Sequence, residues 1–249
     1  MISKAQIKYI QSLSRQKYRK EYQAYLVEGE KNANEWLLSS ATIKYILAVE
    51  DWLKKNTELL QLHPNAEISE LKDFELQKIT QLTHAQQVVL VVEMPVSKTV
   101  DFSAQSWTLF LERVQDPGNM GTIIRTADWF GIDQVITSPG CVEIFNPKVV
   151  QASMGSILRV QVSEMETLQL INERPVDIPL YAAYLDGENV FDLKESQAPG
   201  IIAMGNESKG LSQELLANAS RKFSIPRFGG AESLNVSVAT GILCALLLK

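Results

Sequence analysis

The chain has 249 residues, 45% hydrophobic and 21% charged, the composition of an ordinary soluble globular protein with one large or two small domains. Its net charge of −5 argues against indiscriminate binding to nucleic acid. The N-terminal stretch carries charge but no apolar run, so it does not read as a signal peptide. Cys141 and Cys244 share no CxxC spacing and read as reduced thiols of a cytoplasmic protein.

The charge is unevenly spread. Residues 1–20 carry six basic side chains (Lys4, Lys8, Arg15, Lys17, Arg19, Lys20) and no acid, which leaves −11 on the other 229 residues. A footprint for an anionic partner and a solvated basic helix end explain this equally well from charge alone. In AQIKYIQSL the three-residue spacing of Ile7, Ile10 and Leu13 predicts a helix. AYLVEG predicts a strand, NANEWLLSS a helix, IKYILAV a strand, and DWLKKNTELLQL and LKDFELQKITQL two helices. VVLVVEMP predicts a strand stopping at Pro95. Residues 1–95 thus form a small α/β domain, and the polar, aperiodic SKTVDFSAQS places a linker at 96–105.

From residue 106 to 249 the alternation restarts more strongly. The predicted strands are TLFLERV, DQVITS, RVQVS, PLYAAYL, GIIAMG and RKFSIP. Between them lie helices at MGTIIRTADWFG, NPKVVQASMGSIL, ETLQLINER and SQELLANAS, and a closing helix begins near Leu234. Near-continuous apolar strands separated by helices imply a parallel sheet covered on both faces. The apolar run from Val236 to Leu248 is too short to span a bilayer, which takes about 20 residues, and no membrane association is expected. Ligands of such sheets bind beyond the carboxyl ends of the strands, here after Val114, Met204 and Ile225.

In the first of these loops, QDPGNMGTIIRTADWFG, two glycines permit a tight turn and Asn119 can cap the helix. Arg125 either pairs with Asp128 on the helix surface or anchors a phosphate or ribose. The second loop, GNESKGLS, approaches the phosphate-loop pattern but carries Leu211 where that pattern needs lysine. A nucleoside-triphosphatase is therefore rejected in favour of a ligand held by backbone groups. In the third, IPRFGGAESLNVSVATGILC, Ser233 can serve as a helix cap, which leaves Asn235 and Ser237 unexplained. His63 and His84 have no cysteine or carboxylate at metal-ligand spacing. They read as solvent-facing loop residues, and no metal is expected.

Together the three loops resemble the SpoU (TrmH-like) branch of the SPOUT RNA methyltransferases. DPGNMGTIIRTADWFG is similar to that family's first motif, IIAMGNESKGLS to the second and IPRFGGAESLNVSVATGILCALL to the third, in the family's order and separation. NPKVVQASMGSILRVQV, between the first two, is similar as well, and the likeness covers residues 105–249. YLVEGEKNANEWLL resembles the small substrate-binding domain of ribosomal-RNA members, an α/β fold like that of ribosomal protein L30.

The resemblance implies a parallel-sheet SPOUT domain with a deep trefoil knot, an outcome that general topology disfavours. It implies S-adenosylmethionine as methyl donor, a homodimer, and methylation of a ribose 2′-hydroxyl in structured RNA. Large-subunit ribosomal RNA is the expected substrate and transfer RNA the alternative. The catalytic residues it implies are Asn119, Arg125, Glu207, Ser233 and Asn235. The cofactor would lie against Met204, Gly205, Ile225, Ser233 and Leu234. RNA contacts are expected from Lys17, Arg19, Lys20 and Arg125, with Tyr9, Tyr18 and Tyr22 as stacking partners and Tyr25 packed against the small domain's sheet. One departure is Arg227, where the family's third motif usually has methionine; its charge can meet RNA phosphate or Glu232. Two other readings remain open: an RNA-binding protein without catalysis, and an enzyme using another nucleotide-like ligand.

Overall fold

The computed structural model describes residues 2–96, 99–102, 106–206 and 208–248. It divides into two compact units. The first comprises residues 1–96 together with 143–158, and the second comprises 97–142 together with 159–249.

The first unit runs α1 (Lys4–Ser12), α2 (Gln16–Tyr22), β1 (Ala24–Glu28), α3 (Glu30–Leu37), β2 (Ile43–Ala48), α4 (Glu50–Lys55), α5 (Thr57–Gln61), β3 (Glu67–Glu70), α6 (Asp73–Ile79) and β4 (Val88–Glu93). Its sheet has the order β1-β4-β2-β3, with β4 antiparallel to both neighbours. The apolar run of β4 is explained by burial on both faces. Val88, Leu90 and Val92 pack with Trp36 and Trp52, while Val89 and Val91 face Ile10, Leu13 and Leu76. Two elements escape a hydrophobic pattern. QKYRKEY of α2 has no apolar period, and β3 is an exposed edge strand, EISE, in which three of four residues are polar. DWLKKNTELLQL is two helices rather than one. The chain breaks at Asn56, whose side chain donates to the Trp52 carbonyl at 2.8 Å.

The segment 143–158 comes from the second half of the sequence but packs in this first unit. It carries α8 (Pro147–Ser153) and a 3₁₀ turn over Ser156–Leu158. Val150 and Phe145 join the core around Tyr25 and Trp36. Tyr25 accepts from the Trp36 indole at 2.8 Å, and burial pushes its phenol up to about 12.

The second unit contains β5 (Thr108–Leu111), α7 (Pro117–Trp129), β6 (Gln134–Thr137), β7 (Gln161–Glu164), α9 (Thr167–Glu173), β8 (Leu180–Asn189), β9 (Ile201–Met204), α10 (Gln213–Ala217), β10 (Arg221–Ser224) and α11 (Val236–Leu247). Every pairing in its six-stranded sheet, β10-β8-β9-β5-β6-β7, is parallel. Phe110, Ile136, Leu180 and Ala203 face α9 and α10 through Leu170, Leu215 and Leu216. Within the expected linker, residues 99–102 belong to this unit: the Gln134 amide exchanges two 2.9 Å bonds with the Asp101 backbone. No helix among the described residues is long and apolar enough to cross a membrane.

Candidate active site

The three loops after β5, β9 and β10 all belong to the second unit, and the structure ties the second and third to the first. Between β5 and α7 the cap is Asp116, whose carboxylate accepts from the Asn119 backbone N–H at 2.8 Å; Asn119 is therefore not the cap it was expected to be. Pro117 opens the helix, so α7 starts three residues before Met120 and places Asn119 in its first turn.

At the third loop the cap is Asn235 rather than Ser233. Its Oδ1 accepts from the Ser237 and Val238 N–H groups and from the Ser237 hydroxyl. With Oδ1 so occupied, Nδ2 points outward and donates to Asn119 Oδ1 at 2.8 Å. One asparagine thus caps α11 and joins the first loop to the third. α11 packs on α7, and Val236, Thr240, Leu243, Cys244 and Leu247 form its buried side. Ser233 and Leu234 lie exposed just before the cap. The ten residues between Ser224 and Asn235 lead from edge strand β10 to the start of α11.

The second loop is closed on itself. Asn206 and Gly210 exchange backbone hydrogen bonds at 3.2 and 2.8 Å. Asn206 Oδ1 accepts from the Ser208 and Lys209 N–H groups, and Nδ2 donates to the Arg113 carbonyl at 2.8 Å. A Cβ on Gly205 would stand 2.3 Å from the Gly210 carbonyl carbon, so only glycine lets the loop fold back here. Leu211 is buried among Leu215 and Leu216, which removes the phosphate-loop reading: the lysine position belongs to the core. Glu207 lies outside the described residues.

Arg125 is exposed in the third turn of α7. It shares an outward stripe with Thr122 and Trp129, the latter 84% exposed. Asp128 pairs with Arg159 at 2.8 Å, which weighs against the first of the two readings of Arg125, a surface pair with Asp128. Met204 is buried at the end of β9, and Ile225 is half-buried after β10. Arg227 is exposed and donates to the Ala231 carbonyl at 3.4 Å rather than pairing with Glu232.

Two residues that the sequence reading passed over hold the loops in place. Glu112, 1% exposed, follows β5 directly and accepts from the Thr167 hydroxyl at 2.9 Å and from the Ser212 N–H at 2.6 Å. Asn206 is the other. Its signal was present, since an asparagine after a strand readily closes an Asx turn. For Glu112 the only signal was an acid at the end of an apolar run.

In the first unit, Lys17 and Lys20 are exposed but Arg19 is not. Its guanidinium is 2% exposed and is held by the Leu13 and Ser14 carbonyls and by Glu143, so Arg19 is removed from the expected RNA contacts. Tyr9, Tyr18 and Tyr22 cluster through one stacked and one edge-on contact. His63 is half-buried and bonded to the Leu37 carbonyl at 2.8 Å, not solvent-facing as expected; His84 is exposed. Among the described residues no group of three or more His, Cys, Asp or Glu could hold a metal.

A parallel α/β domain with its polar residues gathered beyond the strands' carboxyl ends is the architecture of a ligand-binding domain. Comparison gives the family. Residues 106–245 match the SpoU rRNA Methylase family, and residues 4–90 match the MRM3-like substrate binding domain. The chain is 31% identical over 234 residues, 93% of its length, to the 23S rRNA (guanosine(2553)-2′-O)-methyltransferase RlmP of Bacillus subtilis, of which it covers 91%. An AdoMet-bound rRNA methyltransferase from Sinorhizobium meliloti superimposes with a TM-score of 0.86 at 27% identity, covering 98% of this chain and 94% of that one. A TrmH-family protein from Porphyromonas gingivalis does so with 0.85 at 37% identity, over 99% and 98%. The chain belongs to the SpoU rRNA methylase family.

Proposed function

We propose that this protein transfers a methyl group from S-adenosylmethionine to a ribose 2′-hydroxyl of large-subunit ribosomal RNA, working as a homodimer. The observation that carries the reading is the Asn235–Asn119 bond. It brings the first and third motifs together beside the helix that bears Arg125. The names of the similar proteins, one a 23S rRNA 2′-O-methyltransferase and one AdoMet-bound, support the substrate and the donor. A trefoil knot at the C-terminal end of this domain is part of the proposal.

The residues present fit such a donor. The second loop offers backbone groups in a closed turn and keeps its lysine position apolar, which suits a cationic sulfonium and not a triphosphate. The third loop is open: nothing stands within 4 Å of a Cβ placed on Gly229 or Gly230. Met204, Gly205, Ile225, Ser233 and Leu234 would hold the cofactor, which supplies an electrophilic methyl carbon when bound.

The chain's own task is then alignment and charge. Fixing reactants in line can lower a barrier by about 7–11 kcal/mol in the best intramolecular cases. Asn119, oriented by Asn235, and Ser233 serve that positioning, and Glu207 is assigned to loop ordering or to the site's hydrogen bonding. A guanidinium only donates hydrogen bonds, so Arg125 is poorly suited to act as a base. It binds the phosphate next to the target ribose and stabilises the developing alkoxide. Lys17 and Lys20 of the first unit add phosphate contacts. Calorimetric titration with S-adenosylmethionine, followed by mapping of ribose methylation in RNA from cells with and without the protein, tests this. Loss of one 2′-O-methyl group from large-subunit RNA is expected. Donor binding without any such loss, or a loss confined to transfer RNA, overturns the proposed substrate.

A further inference from the structure

The second loop is fastened to the end of β5 at two points. At its start, Asn206 Nδ2 donates to the Arg113 carbonyl at 2.8 Å; at its far end, the Ser212 N–H donates to Glu112 Oε2 at 2.6 Å. Adjacent residues, Glu112 and Arg113, supply both acceptors. The other oxygen of Glu112 accepts from Thr167 at the start of α9, with the Arg113 guanidinium 3.5 Å away. The Glu112 backbone N–H also donates to the Met204 carbonyl at 2.9 Å, so the carboxylate stands where the central strand meets the strand leading into the loop.

The fastening is held against two local costs. Arg113 adopts a left-handed backbone (φ 56°) that glycine would take more readily. Glu112 is an acid withdrawn from water, which is expensive unless its oxygens are occupied. Ser212 adds a function of its own as the N-cap of α10, its hydroxyl accepting from the Leu215 N–H. Glu112 therefore fixes both where the loop ends and where α10 begins.

We propose that Glu112 is a positioning residue of the cofactor site. It sets the span of the 205–211 loop by its reach rather than by its charge, and donor affinity depends on that span. The inference rests on the reading of this loop as part of an S-adenosylmethionine site. Reach and charge can be separated. In Glu112→Gln the amide oxygen can accept from Ser212 while the amide nitrogen donates to Thr167, because a hydroxyl can reverse its role. Glu112→Asp keeps the charge but is one methylene short of spanning Thr167 and Ser212 together.

The experiment uses the full chain and measures S-adenosylmethionine affinity by calorimetry, RNA affinity by filter binding, and the melting midpoint. Glu112→Gln is expected to bind S-adenosylmethionine within about threefold of wild type. Glu112→Asp is expected to bind it about tenfold more weakly, with RNA affinity unchanged; tenfold corresponds to about 1.4 kcal/mol. Asn206→Ala cuts the other fastening in a partly exposed loop, and about fivefold weaker donor binding is expected from it, so the test stands even where Glu112→Asp does not fold. Weakening by Gln with Asp spared would show that charge is what matters and overturn the proposal. Equal loss of donor and RNA binding in the folded variants would overturn it too. A wild-type chain that binds no S-adenosylmethionine would instead refute the functional reading beneath it.

Discussion

Glu143→Ala removes the carboxylate that faces the buried guanidinium of Arg19. Nη1 keeps the Leu13 and Ser14 carbonyls at 2.9 Å, while Nε and Nη2 lose their acceptor. Removing one partner of a buried pair costs about 3–5 kcal/mol, because a charge is left without compensation. The Glu143 side chain is 15% exposed, so water reaches the vacated end, and about 3 kcal/mol is the reasonable figure. For a domain of about 100 residues, 1 kcal/mol moves the midpoint by about 4–8 °C, which puts the fall at about 12–24 °C. Hydrogen exchange at the β1 and β4 amides, followed through denaturation of the full chain, reads this for the first unit. Arg19→Met combined with Glu143→Leu should recover most of the loss, since apolar residues of similar size tolerate such a site. A loss under about 1 kcal/mol, or a double variant no better than the single one, would refute the reasoning. The same contact bears on function: residues 1–96 alone lack Glu143, Phe145 and Val150, so that fragment is expected not to fold, and the RNA contact proposed for this unit is better tested by Lys17 and Lys20 variants in the full chain.

Three further outcomes follow from the geometry. Arg125→Lys should retain part of the methyl transfer that Arg125→Ala loses, with S-adenosylmethionine affinity unchanged in both; a lysine variant no better than alanine in single-turnover assays with intact RNA binding would sink a point-charge role. Asn235→Asp keeps the acceptors for Ser237 and Val238 and places negative charge at a helix N-terminus, but offers Asn119 no donor. Its melting midpoint should hold while single-turnover methyl transfer falls at least tenfold; parallel loss of both would assign the residue to capping alone. Glu28, 4% exposed, has its carboxyl raised above the ordinary 4.5 by burial, with bonds from Thr80 and Gln81 only partly opposing. Its contribution to stability is full below pH 4.5 and is lost as pH rises through the folded value, so Glu28→Gln should gain stability relative to wild type over that rise. Melting curves of the pair across pH 4–8 check the sign.

The sheets were legible because strands buried on both faces leave runs such as VVLVV and TLFL that need no alternation. The helices with an apolar side were legible for a similar reason. What the pattern missed was held by something other than apolar periodicity. α2 is a polar helix locked by Arg19, β3 is an edge strand with acids on it, and the start of α7 is set by an Asp-Pro pair. The packing of 143–158 with the first unit was invisible for a different reason. Val150 and Phe145 mark the segment as one with a buried side, but nothing in a sequence says which core will receive it. At the site, the residue types were legible and their offices were not: capping fell to Asp116 and Asn235 instead of Asn119 and Ser233, and Arg19 exchanged a phosphate for Glu143.

Capping and contact between loops need not compete for one residue. Asparagine carries an acceptor and a donor on opposite branches of one planar group. At the mouth of α11 the acceptor is consumed by the helix's own unpaired N–H groups, which fixes the plane and thereby aims the donor at Asn119. Serine or threonine would satisfy the helix equally well, but the single hydroxyl could not reach across at the same time. The apolar length of α11 then works to the same end: with Leu243, Cys244 and Leu247 buried, the helix holds its N-terminus in place against α7. The burial of the greasiest segment and the polar residues at its head thus act together: the packed helix fixes its cap, and the cap fixes the Asn235–Asn119 bond.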